Sequence, residues 1–335
     1  MISKRLAKIR KWMTNESYDA FIIPHDDEYL SEYLPPQNER LEWATKFTGS
    51  AGLAVILKND AAIFVDGRYT VQVQEQVDGN MFNFFHIIEN PYLEWIHEKI
   101  GDNAKIAYDS KLHTIAWHQN IKKNYGEKLT FIKIKNNPID NNWENRPNPV
   151  SKPAILLEEK YTGKSSYLKR KEIALYIKKN NISATIITQL DSIAWLLNIR
   201  GEDIPCNPIV LCQIILYNNS NVDLFIDSKK IPQGFSKHVG DGVTIWDPNQ
   251  IEDRLKILKD KSISIDFNNS TVWLKSILDK ITTNIIDKPN PCELPKSCKN
   301  KVEINGMKDC HIRDGAAVTN FLFWIDNEVQ NNRFH

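Results

Sequence analysis

Cysteine is scarce in this 335-residue chain. Its five thiols, at positions 206, 212, 292, 298 and 310, are odd in number and scattered, which excludes the dense, even disulfide framework of a small secreted protein and fits a reducing cytoplasm. An excess of either charge is also lacking. With 43 basic and 42 acidic residues the formal net charge is +1, so composition makes no electrostatic case for nucleic acid or an anionic membrane as partner. No stretch reaches the roughly 18 apolar residues a membrane span needs, and the charged opening Met1–Arg10 has neither the apolar core nor the cleavage site of a secretory signal. Missing too are His-Glu-x-x-His, a close Cys-x-x-Cys pair, a phosphate loop and Gly-x-Gly-x-x-Gly. Cys292, Cys298, Cys310 and His311 would hold zinc only at irregular spacing. The reading therefore assigns no catalytic residue and no metal ligand.

What the chain has is ordinary bulk, 41% hydrophobic and 25% charged, enough for two or three soluble globular domains. The most informative stretch runs from Trp43 to Thr70. Two short apolar runs, Gly52-Leu53-Ala54-Val55-Ile56-Leu57 and Ala61-Ala62-Ile63-Phe64-Val65, flank the polar Lys58-Asn59-Asp60 and predict a β-hairpin in a buried sheet. Thr48-Gly49-Ser50-Ala51-Gly52 leads into it, the glycines permitting a tight turn. Asp66-Gly67-Arg68-Tyr69 follows it. Such a strand-end turn aims one charged side chain out of the sheet, and Arg68 is that side chain.

Taken in order, Ser3 to Thr14 places Leu6, Ile9 and Met13 on one face of an amphipathic helix, and Ala20 to Ile23 makes a strand. His25-Asp26-Asp27-Glu28 groups an imidazole with three carboxylates. Consecutive residues do not converge on one ion without a special loop, so the stretch reads as a solvated acidic loop. Beyond the hairpin the pattern predicts a helix over 71–77, a strand over 81–88, a helix over 92–100, a strand over 105–108, a helix over 113–124 and a strand over 129–134. His113 and His118 splay around their helix and read as surface residues, not a ligand pair. Residues 136–153 are rich in Asn and Pro and aperiodic, the signature of an inter-domain linker.

The second half then repeats the order of the first. Ala20 and Ala184 are 164 residues apart, Asp66 and Asp227 161, Asp109 and Asp266 157, a drift that loop-length differences inside a duplicated domain would produce. The expected fold is α/β: two similar domains over 1–135 and 161–290, each a mixed sheet flanked by helices, joined by a linker over 136–160. Asp227-Ser228-Lys229 stands where the first copy has Asp66-Gly67-Arg68, so a ligand role of that turn is expected of the first copy alone. Asp191-Ser192 lacks a Gly-x-Ser-x-Gly elbow and reads as a helix cap, not a nucleophile. After a Pro-, Cys- and Lys-rich connection, residues 301–330 form a long amphipathic segment.

Asp19-Ala20-Phe21-Ile22-Ile23-Pro24, Ser31-Glu32-Tyr33, Phe47-Thr48-Gly49-Ser50-Ala51-Gly52 and Val65-Asp66-Gly67-Arg68-Tyr69, in that order, resemble the N-terminal domain of the Xaa-Pro aminopeptidases, the aminopeptidase P branch of the creatinase-like metallopeptidases. Residues 191–201 with Asn207-Pro208 resemble the second domain. Glu303-Ile304-Asn305-Gly306-Met307 and residues 311–317 resemble the opening helix of the catalytic, pita-bread domain, so 301–335 would be its start.

The resemblance implies an activity: release of the N-terminal residue from peptides with proline in second position. A water between two metal ions, usually Mn2+, attacks the carbonyl. The family's metal ligands follow the opening helix and this sequence does not contain them, so the chain alone is expected to be a truncated, inactive part without a cofactor of its own. The resemblance also gives Arg68 a substrate-binding role toward proline-containing peptides, and implies a cytoplasmic homodimer. Phe321, Phe323 and Trp324, left bare, would add self-association. The alternatives are a stand-alone interaction or dimerisation module, the product of a decayed gene, and a creatinase-like amidinohydrolase. The last is disfavoured by the pairing of the Phe47–Gly52 segment with the Asp66–Tyr69 turn.

Overall fold

The computed structural model describes residues 2–331; Met1 and residues 332–335, the outer ends of the first and last expected segments, lie outside the described residues. In the first domain, β1 (Ala20–Pro24), β2 (Leu53–Leu57), β3 (Ala61–Val65), β4 (Asn83–His86), β5 (Ala104–Asp109) and β6 (Leu129–Ile134) form one sheet in the order β4-β3-β2-β1-β5-β6. Only β2 runs against its neighbours. β1, β2 and β3 are buried at every position, which is why they read as unbroken apolar runs instead of alternating ones. Phe21 and Ile23 face α1 (Ile2–Asn15), α2 (Arg40–Thr45) and α3 (Thr70–Gln76). Ala20 and Ile22, pointing the other way, face α4 (Tyr92–Ile100) and α5 (Ile115–Tyr125).

α6 (Pro138–Asn142) leads out of this domain, and a small ladder of β7 (Ile155–Leu156) with β9 (Ile199–Arg200) opens the next. There β8 (Ala184–Ile187), β10 (Gln213–Tyr217), β11 (Val222–Phe225), β12 (Val243–Trp246), β13 (Ile263–Ile265) and β14 (Ile285–Asp287) take the order β12-β11-β10-β8-β13-β14. Again only the third strand from the left edge runs against its neighbours. The sequence repeat is therefore a repeat of topology, with β1 and β8 in the same place. After the short α7 (Glu159–Thr162), α8 (Ser166–Lys179), α9 (Leu190–Leu197) and α10 (Phe235–Val239) lie toward one face, α11 (Ile251–Lys256) and α12 (Val272–Leu278) on the other. α13 (Glu293–Ser297) and α14 (Lys301–Gln330) end the described chain. Asn300 caps α14 reciprocally with Glu303 and ties it to the Thr162 carbonyl at 2.8 Å, but beyond that base its apolar residues Ile312, Val318, Phe321, Leu322 and Phe323 are all more than half exposed. None of the helices among the described residues is long and apolar enough to cross a membrane.

The two domains meet through their β5–α5 and β13–α12 loops. Ile115 N donates to Ser270 O (2.9 Å) and Ala116 N to Phe267 O (2.9 Å), while Val272 N donates to His113 O (3.0 Å) and Trp273 N to Ser110 O (2.8 Å). A shift of 157 residues turns the first pair of bonds into the second, so the contact has local pseudo-two-fold symmetry. Thr114 and Thr271 bridge each other at its centre. Each also caps its own helix, Thr114 accepting from Trp117 N and Thr271 from Leu274 N.

Several surface assignments are overturned at this seam. His113 precedes α5 and is buried, its Nδ1 against Asp109 O at 2.9 Å, and His118 is only partly exposed. Both rings pack on Tyr108, with centroids 5.4 and 5.8 Å away, and the helix starts only after the Thr114 cap, which leaves His113 in the loop before it. Burial holds each imidazole down to about 4. The acidic loop is not solvated either. Asp27 is fully buried, accepting from Tyr29 N (2.9 Å) and Asn38 Nδ2 (3.0 Å). Burial pushes Asp27 up to about 6, and burial together with the Asp27 charge pushes Asp26 up to about 7.

Glu28 meets Arg40 at 2.6 Å. Arg40, 1% exposed, also grips Asp140 through Nε (2.8 Å) and Nη2 (3.0 Å). Asp140 belongs to α6, and Trp143 packs on Trp43, so the Asn- and Pro-rich stretch is docked on the first domain at this end. Asp191 lies inside the first turn of α9, where the cap position is Gln189, and its carboxylate binds Lys296. It is an ion-pair partner and not a cap.

Arg40→Met would take the cation from Glu28 and leave Asp140 with Arg146 alone. The expected cost is about 2–4 kcal/mol, below the full buried-pair range because both carboxylates are partly solvated, read as a lower urea midpoint. Asp26 gives a pH test. Its folded pKa lies above its unfolded value, so the folded state binds more protons between about pH 4 and 7 and this group's contribution falls as pH rises through that window. Asp26→Asn should therefore lose about 2 kcal/mol relative to the parent on going from pH 8 to pH 5. The same stability difference at both pH values would contradict it.

Candidate functional site

β1, β3, β4 and β5 all run in one direction, so their carboxyl ends share one edge of the sheet, the end at which open α/β sheets receive ligands. The seam covers the ends of β1 and β5. What stays open is the corner at β3 and β4.

Here Asp66 builds the turn. Its Oδ1 accepts the Arg68 backbone N–H at 2.9 Å, and Tyr69 N closes on Asp66 O at 3.0 Å. The Arg68 guanidinium lies back over the same carboxylate, Nη2 to Oδ2 at 2.7 Å, which holds Asp66 below its ordinary range. The arginine side chain is nevertheless 61% exposed, and Glu32 lies close enough to add to the field on it. Ser31-Glu32-Tyr33 and the turn, 35 residues apart in sequence, are thus brought to one corner. His25 holds them there: its N–H donates to Gly52 O (3.0 Å) and its Nε2 lies 3.3 Å from Glu32 O.

The Phe47–Gly52 segment is the floor of this corner. Tyr69 bonds Ser50 through its hydroxyl at 2.8 Å and meets the buried Phe47 edge-on. A Cβ on Gly49 would stand 2.2 Å from Phe47 Cζ, and Gly52, at φ +154°, would press one against Phe64 O at 3.0 Å. The glycines therefore allow close backbone approach. Thr48 is clasped from α3, its N–H by Gln76 Oε1 (2.9 Å) and its hydroxyl by Gln76 and Gln72.

One residue of the corner escaped sequence reasoning. His86, across from Val65 in the β3–β4 ladder, sits beside Gly67 and adds, after Arg68, to the field that lowers Asp66. Its buried Nδ1 has no partner among the described residues. Nothing in the local pattern of a short edge strand marks it. No group of three or more metal-ligating side chains occurs among the described residues.

Two family models, each of the creatinase/prolidase N-terminal domain, match residues 5–140 and residues 145–303. Xaa-Pro aminopeptidase 1 of Dictyostelium discoideum is 32% identical over 98% of this chain and 54% of its own length. A probable Xaa-Pro aminopeptidase P of Ajellomyces dermatitidis is 32% identical over 99% of the chain and 56% of its own length. The crystal structure of X-prolyl aminopeptidase from Caenorhabditis elegans, described as a cytosolic enzyme with a di-nuclear active site, superposes with a TM-score of 0.91 at 25% identity, covering 99% of this chain and 57% of that one. The chain thus spans a little over half the length of these relatives. With a creatinase/prolidase N-terminal domain in each half and this likeness along its length, the chain belongs to the Xaa-Pro aminopeptidase family.

Proposed function

We propose that these residues are the non-catalytic N-terminal part of an Xaa-Pro aminopeptidase, and that their role in removing the N-terminal residue from Xaa-Pro peptides is to present Arg68 to the substrate. The observation that carries this reading is the open β3–β4 corner, where an exposed guanidinium is set on a rigid floor of Phe47, Ser50 and Tyr69. Arginine suits the task because it stays charged and offers a fork of donors to peptide carbonyls or a carboxylate. In this reading Asp66 orients the fork and Gly67 permits the turn. The metal pair, manganese in this reading, would be supplied by a catalytic domain, where it activates water and polarises the scissile carbonyl. The residues described here would hold none of it.

A second reading, an assembly module, is favoured by one observation: α14 presents Ile312, Val318, Phe321, Leu322 and Phe323 to solvent. In it the chain forms a homodimer.

Residues 1–335 purified with added Mn2+ are expected to show no turnover of an Xaa-Pro peptide; turnover that persisted through repurification would refute the non-catalytic assignment. Joined to a catalytic domain of the family, Arg68→Ala should lower kcat/KM for such a peptide roughly ten- to a hundredfold, the range of one hydrogen bond to a charged group. The melting temperature should not change. Kinetics equal to the parent's would make Arg68 a solvated surface residue.

A further inference from the structure

α14 is 30 residues long and none of its described residues is buried, so no buried apolar face sets its direction as packing does for most helices. The ties that join it to the second domain lie at its root. At about 1.5 Å per residue the helix reaches about 45 Å, and a tilt of about 15° at the root would carry its far end about 12 Å. Small changes at the root are therefore large ones at the tip.

The first tie is neutral. Asn300 uses its side-chain oxygen to cap Val302 N (2.9 Å) and Glu303 N (3.1 Å), which leaves its amide N–H to donate to Thr162 O at 2.8 Å. The approach is so close that a Cβ on Gly163, at φ +66°, would stand 2.5 Å from Asn300 Oδ1. Thr162 is itself fixed from beneath. Asn198 Nδ2 donates to its hydroxyl (3.2 Å) and to Lys164 O (2.9 Å), while Asn198 Oδ1 accepts from the buried Lys169 ammonium at 2.8 Å.

The second tie is a charge. Lys169 is 2% exposed, and its other contacts, Trp195 O at 3.0 Å and the Trp195 ring at 4.5 Å, carry no formal charge. Burial draws Lys169 down to about 8 and lowers Arg200 as well, and Glu303 is the carboxylate that opposes burial at both. Glu303 Oε2 also accepts from Asn300 N at 2.9 Å. The residue that completes the cap of α14 thus answers two cations of the second domain.

We propose that Asn300 and Glu303 are positioning residues: the bond to Thr162 and the Glu303 charge fix the bearing on which α14 leaves the second domain, and the seam carries that bearing to Arg68. This deepens the function proposed above and rests on it in one respect, that a catalytic domain carried on α14 meets a peptide held by Arg68 only at this bearing.

Both ties can be cut without uncapping the helix. Asn300→Ser keeps a capping oxygen but removes the amide donor, and Glu303→Gln keeps the capping box but removes the charge. Nitroxide labels on Lys229→Cys and Thr319→Cys, both exposed sites, read the bearing by double electron–electron resonance in the 335-residue chain with Cys206, Cys298 and Cys310 changed to Ser. One narrow distance is expected for the parent. The two changes together should broaden it, by about 7 Å for a swing of about 15° at that distance from the root, with the far-ultraviolet helix signal unchanged. A parent distribution already that broad, a double variant as narrow as the parent, or broadening that comes with loss of the helix signal would each overturn the proposal. Should the two changes together prevent folding, each alone decides it by the same measurement. Joined to a catalytic domain of the family, the double change should raise KM for an Xaa-Pro peptide roughly tenfold and add nothing once Arg68→Ala is present. Equal losses in both backgrounds would overturn the link to Arg68. If Arg68→Ala is itself silent, the role of Arg68 has failed, and the distance measurement still decides the joint.

Discussion

Four reciprocal backbone hydrogen bonds, from Ile115 and Ala116 to one loop and from Val272 and Trp273 to the other, fix where everything else in this molecule lies. Each bond contributes only about 0.5–1.5 kcal/mol net. Their effect is geometric. The donors are the first N–H groups of two helices, which have no intrahelical partner, and the acceptors are carbonyls of the loop that leads into the opposite helix. Neither domain can satisfy these groups alone in a dry contact. The pseudo-two-fold arrangement satisfies both sets at once, which is what an isologous contact does between identical subunits. Here one chain makes it with itself.

Placing the seam at the carboxyl end of both sheets divides each ligand-receiving edge in two. The half at β1 and β5, or β8 and β13, is consumed by the contact. The half at β3 and β4, or β11 and β12, is left over. Breaking of the symmetry then decides the fate of each remaining corner. The loop after β1 carries Tyr29 across the seam to pack with Leu190, Ile204, Ile209 and Leu211, and Arg40 anchors that loop and α6 through Glu28 and Asp140. No such bridge covers the first domain's corner, where Arg68 stays in solvent.

The inner strands β1, β2 and β3 were legible in the sequence because each is buried on both faces and announces itself as an unbroken apolar run. The repeat was legible because the aspartates that end the strands recur. What escaped was whatever depended on a partner far along the chain. His25-Asp26-Asp27-Glu28 looks solvated until Arg40 and Asp140 are known to sit beside it. His113 looks like a helix residue until Thr114 is seen to cap α5. His86 gave no signal, because its place at the Arg68 corner is set by pairing with Val65 and not by its neighbours in sequence.

The two corners show how one turn diverges after duplication. In both, an aspartate accepts the backbone N–H two residues on, Asp66 from Arg68 and Asp227 from Lys229. In the first copy the cation stands on the turn residue itself, folds back on its aspartate and remains exposed. In the second the matching Lys229 is exposed, and the buried cation is the next residue, Lys230, which turns inward to Asp203. An exposed guanidinium keeps its water and gives it up only when a large ligand covers it. A buried ammonium has already lost most of its water, and here the buried Asp203 carboxylate compensates for the loss. A displacement of the charge by one residue thus separates an exposed cation from a buried ion pair.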